Sequence, residues 1–227
     1  MKRGKKYRET VKKYDAAAVF GLDEALGLVK TMAFAKFDET VDLSVKLNLK
    51  KSQSVRDTVV LPNQFRGEKK ILVFCKPEKE KEAQEAGAAF IGADDLIEKV
   101  KAGWTDFDVA VATPDMMKDV GKLGMVLGRK GLMPNPKTGT VTFDLKSTLA
   151  ELKKGRTEFR ADKTGVVHLA VGKVSMGAEL LAENIKTVVA EIKRKRPVDA
   201  KGEFVKSISV ASTMGPGVWV SAMDEGV

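Results

Sequence analysis

From residue 42 to residue 50 the chain reads DLSVKLNLK, with polar and apolar residues in strict alternation. Successive side chains of a strand point to opposite faces, so this run fits a strand with one packed and one wet face and fits no helix. Such a strand belongs to an antiparallel sheet that is open to water on one side. Similar segments return near the other end, at residues 158–162, 165–171, 207–212 and 218–221. The middle of the chain follows a different rule. There ILVF at 71–74 and VAVA at 109–112 are continuous apolar runs, the pattern of strands buried on both faces. Between them come a charged helical segment at 78–87, the strand-like 89–92 and a helix opening at Asp94 and Asp95. That alternation predicts parallel strands joined by crossover helices.

Lys-rich polar junctions at 66–70 and 153–156 flank this middle block, with Gly67 and Gly155 available to end helices or bend the chain. The expected architecture is therefore an α+β outer domain, made of residues 1–67 and 157–227, with an antiparallel sheet and two helices. Residues 68–156 form an inserted α/β domain, Rossmann-like with a parallel sheet. Leu22, Ala25, Leu26 and Val29 mark one outer helix; Leu181, Ile185, Val188, Val189 and Ile192 mark the other, with Ser175 placed to cap it and Pro197 to stop it.

Composition narrows the function classes. The 227 residues are 43% hydrophobic, enough for packed cores without covalent staples. Forty Lys and Arg against 31 Asp and Glu leave a charge of +9, which points to nucleic acid or an anionic surface. Apolar runs such as 16–22 and 71–75 fall far short of the ~20 residues of a spanning helix, so no membrane partner is expected. The opening MKRGKKYRETVKKY is basic but lacks the apolar stretch of a secretory signal, and Cys75 is the single cysteine, which together suit a reducing cytoplasm. Cys75 itself, in ILVFC, reads as a small buried hydrophobe. His168 is the single histidine and lies within VVHLAV, so neither a metal site nor a cofactor is expected.

The stretch GRKGLMPNP at 128–136 reads as a shaped basic loop that does not continue as a helix. Its GRKG matches the G-x-x-G of KH domains, yet Pro134 and Pro136 follow at once and disfavour the second helix that such a loop requires. No G-x-x-x-x-G-K-[ST] or G-x-G-x-x-G spacing occurs, which weighs against a nucleotide-using enzyme on the α/β block. That enzyme is the competing reading, and it also lacks a nucleophile, base and orienting group at workable spacing. Asp94, Asp95 and Asp115 read as helix-start residues instead. A second glycine-proline corner, TMGP at 213–216, lies near the end of the chain.

Together KFDETVDLSVKLNL (36–49), GRKGLMPNP (128–136), EFRADKTGVVH (158–168) and TMGP (213–216) closely resemble the bacterial large-subunit ribosomal protein L-one family, in the right order over almost the whole chain. The resemblance implies a two-domain, non-catalytic protein of the 50S subunit. It would bind 23S rRNA at the base of the mobile stalk near the exit-site tRNA, and repress translation by binding its own operon's mRNA. Carried over residue by residue, it places RNA contacts at Lys36, Phe37, Thr40, Lys163, Thr164, His168, Ser207, Thr213, Met214 and Gly215, with Arg129 and Lys130 as a secondary RNA or interdomain contact. Hydroxyls and backbone amides suit 2′-OH and phosphate oxygens, so a DNA duplex should be rejected. Phe37 reads equally as core and as an RNA contact, whereas His168, read from the sequence alone, is more often a structural strand residue than a ligand or base. Trp219 stands where the resemblance leads one to expect a polar or basic residue. The cations of the N-terminal arm, Lys2, Arg3, Lys5, Lys6, Arg8, Lys12 and Lys13, would add salt-sensitive affinity, as would the cluster at 193–196, although a helix C-terminus also favours cations.

Overall fold

The alternation at residues 42–50 does what its period dictates. In the computed structural model, which describes residues 4–50, 53–67, 69–197 and 202–221, Val41, Leu43, Val45 and Leu47 are buried while Asp42, Ser44 and Lys46 face outward. The elements in chain order are α1 (Lys5–Val11), β1 (Val19–Phe20), α2 (Leu22–Met32), β2 (Thr40–Leu47) and β3 (Arg56–Val60). They continue with β4 (Ile71–Phe74), α3 (Glu80–Glu85), β5 (Phe90–Gly92), α4 (Asp94–Lys101) and β6 (Val109–Ala112). After these come α5 (Met117–Gly121), α6 (Gly124–Lys130), α7 (Leu145–Lys153), β7 (Arg156–Arg160), β8 (Val166–Lys173), α8 (Ala178–Arg194), β9 (Val205–Ser212) and β10 (Gly217–Val220). The chain divides into two compact units, Met1–Phe65 with Thr157–Val227, and Arg66–Arg156.

The first unit is built on a sheet of order β1-β10-β9-β2-β8. The apolar stripes of α2 and α8 cover one face, and Leu26, Val29, Ile185 and Val189 meet Val41, Leu43, Val45, Val210 and Val218 in a single core. The sheet is mixed rather than wholly antiparallel, because β1 runs parallel to β10. The cause is connectivity: β1 leads through α2 into β2, and a helical crossover returns the chain in the same direction. Strands β3 and β7 form a separate two-stranded sheet, tied across by the Arg56–Glu158 ion pair at 2.5 Å.

Helix α8 starts later than Ser175. Its N-cap is Gly177, and the Ser175 hydroxyl instead donates to the Asp38 carboxylate at 2.8 Å, so a tertiary contact has taken the group that a local cap would have used. Inside α8, Asn184 is fully buried, donates to the carbonyls of Val171 and Asn63 and accepts from the Asn63 amide, joining helix, strand and the segment after β3.

The second unit explains the continuous apolar runs. Its parallel sheet, of order β5-β4-β6, is covered on both faces. Leu72, Phe74, Ala110 and Ala112 pack with α4, α5 and α6, while Ile71, Val73 and Val111 pack with α3 and α7. Cys75, just past β4, is buried as expected. One expectation fails: Gly128, Arg129 and Lys130 are the last turn of α6, not a loop. Gly131 takes φ 70° and ends the helix in a left-handed cap, so the prolines act only on the chain beyond it.

Candidate nucleic-acid interface

The face of the larger sheet that carries no helix is the surface on which most of the candidate residues fall. Its most elaborated part lies where β2 begins and β9 ends, and one buried carboxylate organises it. Glu39 is 1% exposed. It accepts the amides of Phe34 (3.0 Å) and Ala35 (2.8 Å) from the turn after α2, and the amide of Met214 (3.1 Å) from the β9–β10 turn. Burial pushes its pKa up, but the hydrogen bonds from the Ser212 hydroxyl and those backbone amides outweigh it and hold the carboxyl below its usual value. Glu39 thereby fixes both turns with one side chain.

Around it, Thr213 and Thr40 bond reciprocally. The Thr40 amide donates to the Thr213 hydroxyl (2.9 Å), and the Thr213 amide donates to the Thr40 carbonyl (3.0 Å). The Gly215 amide turns back onto the Ser212 carbonyl at 3.1 Å. Lys173, at the end of β8, donates to the Thr40 hydroxyl at 2.8 Å. With the backbone so tied, Phe37 and Met214 stand out into solvent, 57% and 50% exposed, beside the exposed Lys36. Phe37 is therefore not core.

The structure gathers Lys36, Phe37, Thr40, Thr213, Met214 and Gly215 at this end and spreads the remaining candidates along the sheet. His168 lies mid-sheet on the outward face, its Nδ1 3.0 Å from the Ser44 hydroxyl. Ser207 pairs with Lys46 at the far end of β2, and the Lys46 ammonium donates to the Thr164 carbonyl there. Lys163 and Thr164 occupy the tight turn 162–165. In that turn the Asp162 carboxylate accepts from the Val166 amide first, then from the Thr164 hydroxyl and amide, which hold its pKa below the usual range. The two ends are separated by the length of β2, roughly 25 Å at ~3.3 Å per residue. Arg129 and Lys130 belong to the other unit, exposed at the C-terminal end of α6, with Lys130 bonded to the Thr105 hydroxyl. Of the N-terminal cations, Lys2 and Arg3 lie outside the described residues; Lys5, Lys6 and Arg8 are on α1.

Sequence reasoning missed Glu39 and Lys173. Glu39 sits inside the quoted KFDET, but a single acid in a basic protein carries no sign that it is buried. Among the described residues, no cluster of three or more His, Cys, Asp or Glu could hold a metal ion, and no helix is long and apolar enough to cross a membrane.

The model of the Ribosomal protein L1p/L10e family matches residues 29–216, from within α2 to the proline after Gly215. The chain belongs to that family. Proteins named large ribosomal subunit protein uL1 are similar to it over nearly the full length. That of Treponema denticola is 64% identical over 97% of both chains, and that of Treponema pallidum strain Nichols 62% over the same shares. That of Borrelia hermsii is 58% identical over 96% of this chain and 97% of its own. The L1p/L10e family is one of ribosomal structural proteins and not of enzymes, so the competing reading of the α/β block as a nucleotide-using enzyme is set aside.

Proposed function

We propose that this chain is a structural constituent of the large ribosomal subunit, ribosome-associated in the cytoplasm, and binds 23S rRNA through the open sheet face of its discontinuous outer domain. The observation that carries the reading is the paired exposure of Phe37 and Met214 on two turns locked by one buried carboxylate. Exposed apolar side chains on a rigid, polar, basic rim suit stacking on bases and sugars, while Lys36, Lys173 and the backbone amides suit phosphate and 2′-OH. The surface reaches along β2 through His168 to Ser207, Lys163 and Thr164, so it tracks a length of folded RNA rather than one nucleotide.

The finer assignment follows the same logic. The RNA is the base of the mobile stalk near the exit-site tRNA, and the same surface binds the chain's own operon mRNA where the messenger imitates that fold. Free protein unclaimed by rRNA then occupies the messenger and stops further synthesis. The inserted domain, residues 68–156, contributes Arg129 and Lys130 as a secondary contact to RNA or tRNA.

The test is binding of the purified protein to an rRNA stalk-base fragment across a salt series with excess tRNA competitor, beside a Phe37→Ala/Met214→Ala variant. Each stacked base is worth about 1–3 kcal/mol, so loss of the Phe37 stack alone should weaken binding about 5- to 150-fold, and the double variant should bind at least that much more weakly while retaining its fold. Weak binding that vanishes with salt equally for both proteins rejects the proposal. Repression is tested with a reporter fused to the operon leader, which the double variant should no longer silence.

A further inference from the structure

At the corner of the sheet away from the Phe37–Met214 turns, a cleft of about 830 Å³ opens between β1, the end of β10, the start of β9 and the end of α8. Two of its walls are exposed apolar side chains held side by side, because Val19 (64% exposed) pairs in register with Trp219 (43% exposed). The rim is cationic. Lys193 and Arg196 come from the end of α8 and Lys206 from β9, all exposed, and among the described lining residues Glu203 is the one carboxylate that faces them. The Arg196 guanidinium donates to the Gly202 carbonyl at 3.0 Å, which holds it at the rim. The Tyr14 hydroxyl donates to the Gly217 carbonyl at 2.8 Å and pins the segment after α1 along β10, so the β1 wall is firmly docked. Ser221 adds a hydroxyl to the lining, as does Ser207, where the proposed rRNA surface ends and borders the cleft.

We infer that this cleft is a second RNA site, distinct from the Phe37–Met214 surface, and that it takes a short single-stranded segment with one base stacked on the Trp219 indole and its flanking phosphates on Lys193, Arg196 and Lys206. The inference rests on RNA being the partner class of this chain but not on the other surface. An exposed indole flanked by lysines and an arginine has the two components of single-strand binding, a π-face that accepts any base and cations that track the backbone. The volume lies within the ~300–1,000 Å³ range of sites for molecules of nucleotide size. A duplex keeps its bases inside the helix and offers the indole no face on which to stack.

The test uses the full chain and a labelled six-nucleotide oligoadenylate, with fluorescence anisotropy at several salt concentrations. Trp219→Ala should weaken binding by about 5- to 150-fold, the worth of one stacked base, and Trp219→Phe should restore most of it. Lys193→Glu/Lys206→Glu should weaken binding and flatten the salt dependence by about 1.4 in log–log slope, two phosphate contacts at ~0.7 each. Leu180→Ala, an exposed apolar side chain at the opposite end of α8, should leave oligoadenylate binding unchanged. Equal affinity of Trp219→Ala and unaltered protein for oligoadenylate overturns the inference. The stalk-base fragment is measured separately, so failure here leaves the rRNA reading standing.

Discussion

Glu39 shows how a buried residue can set a surface to which its own side chain does not belong. Its carboxylate accepts backbone amides from the turn after α2 and from the β9–β10 turn, so removing it leaves buried donors without an acceptor. Glu39→Ala should cost about 1.5–3 kcal/mol in urea unfolding and loosen Phe37 and Met214 together, so that RNA affinity falls more than stability alone explains. The pH dependence has a definite sign. A carboxyl held below its usual 4.5 contributes stability that is complete at neutral pH and fades as the pH falls through the lowered value. The urea midpoint should therefore drop on acidification below about pH 4.5, and Glu39→Gln should make that drop shallower. Phe37 is ambiguous in the sequence because an aromatic residue after a helix can pack or project. The capture of the Phe34 and Ala35 amides by Glu39 closes that turn, and the structure leaves Phe37 projecting.

Helix α8 and strand β8 meet where two local rules break. Asn184, on an otherwise apolar stripe, spends its amide on Val171 and Asn63. Replacing it with Leu strands those groups and should cost on the order of 3 kcal/mol, measured by chemical denaturation. Beside it, the pairing of β2 with β8 shifts register between Val41 and Asp42. A Cβ on the neighbouring Gly172 would lie 2.2 Å from the Leu181 side chain, so Gly172→Ala should cost about 1–3 kcal/mol by overpacking. Gly131 differs in kind. It has open space around it and a positive φ, so Gly131→Ala should cost only about 1 kcal/mol, through backbone strain at the end of α6. Helical spacing reveals α8, but Asn184 and Gly172 are illegible in the sequence because their roles belong to partners far along the chain.

At the scale of the molecule, β3 and β7 pair, so the chain leaves the first unit and returns to it at adjacent strands. Each unit has its own core. Joining residue 65 to residue 157 through a short glycine linker should therefore yield a cooperatively folding outer unit. Its affinity for the stalk-base fragment should lie within about tenfold of the whole chain's, a difference below ~1.4 kcal/mol. Loss of cooperative unfolding would refute the independence of the two cores, and a larger loss of affinity would assign the inserted part a direct share in binding.

Period and polarity along the chain were enough to determine the strands other than β1 and β3, the two core helices and the change from one-faced to two-faced burial, because side-chain alternation is set locally by the backbone. They also carried the basic balance and the family motifs. Only the tertiary structure decided that β1 joins the sheet in parallel, that GRK belongs to α6, that Ser175 serves Asp38 instead of capping α8, and that the candidate residues spread along a face. It alone tied Glu39 to a turn 175 residues away in sequence and set Trp219 beside Val19. Each of these depends on which distant group competes for a hydrogen bond or a sheet edge, and that competition is settled only when the chain has folded.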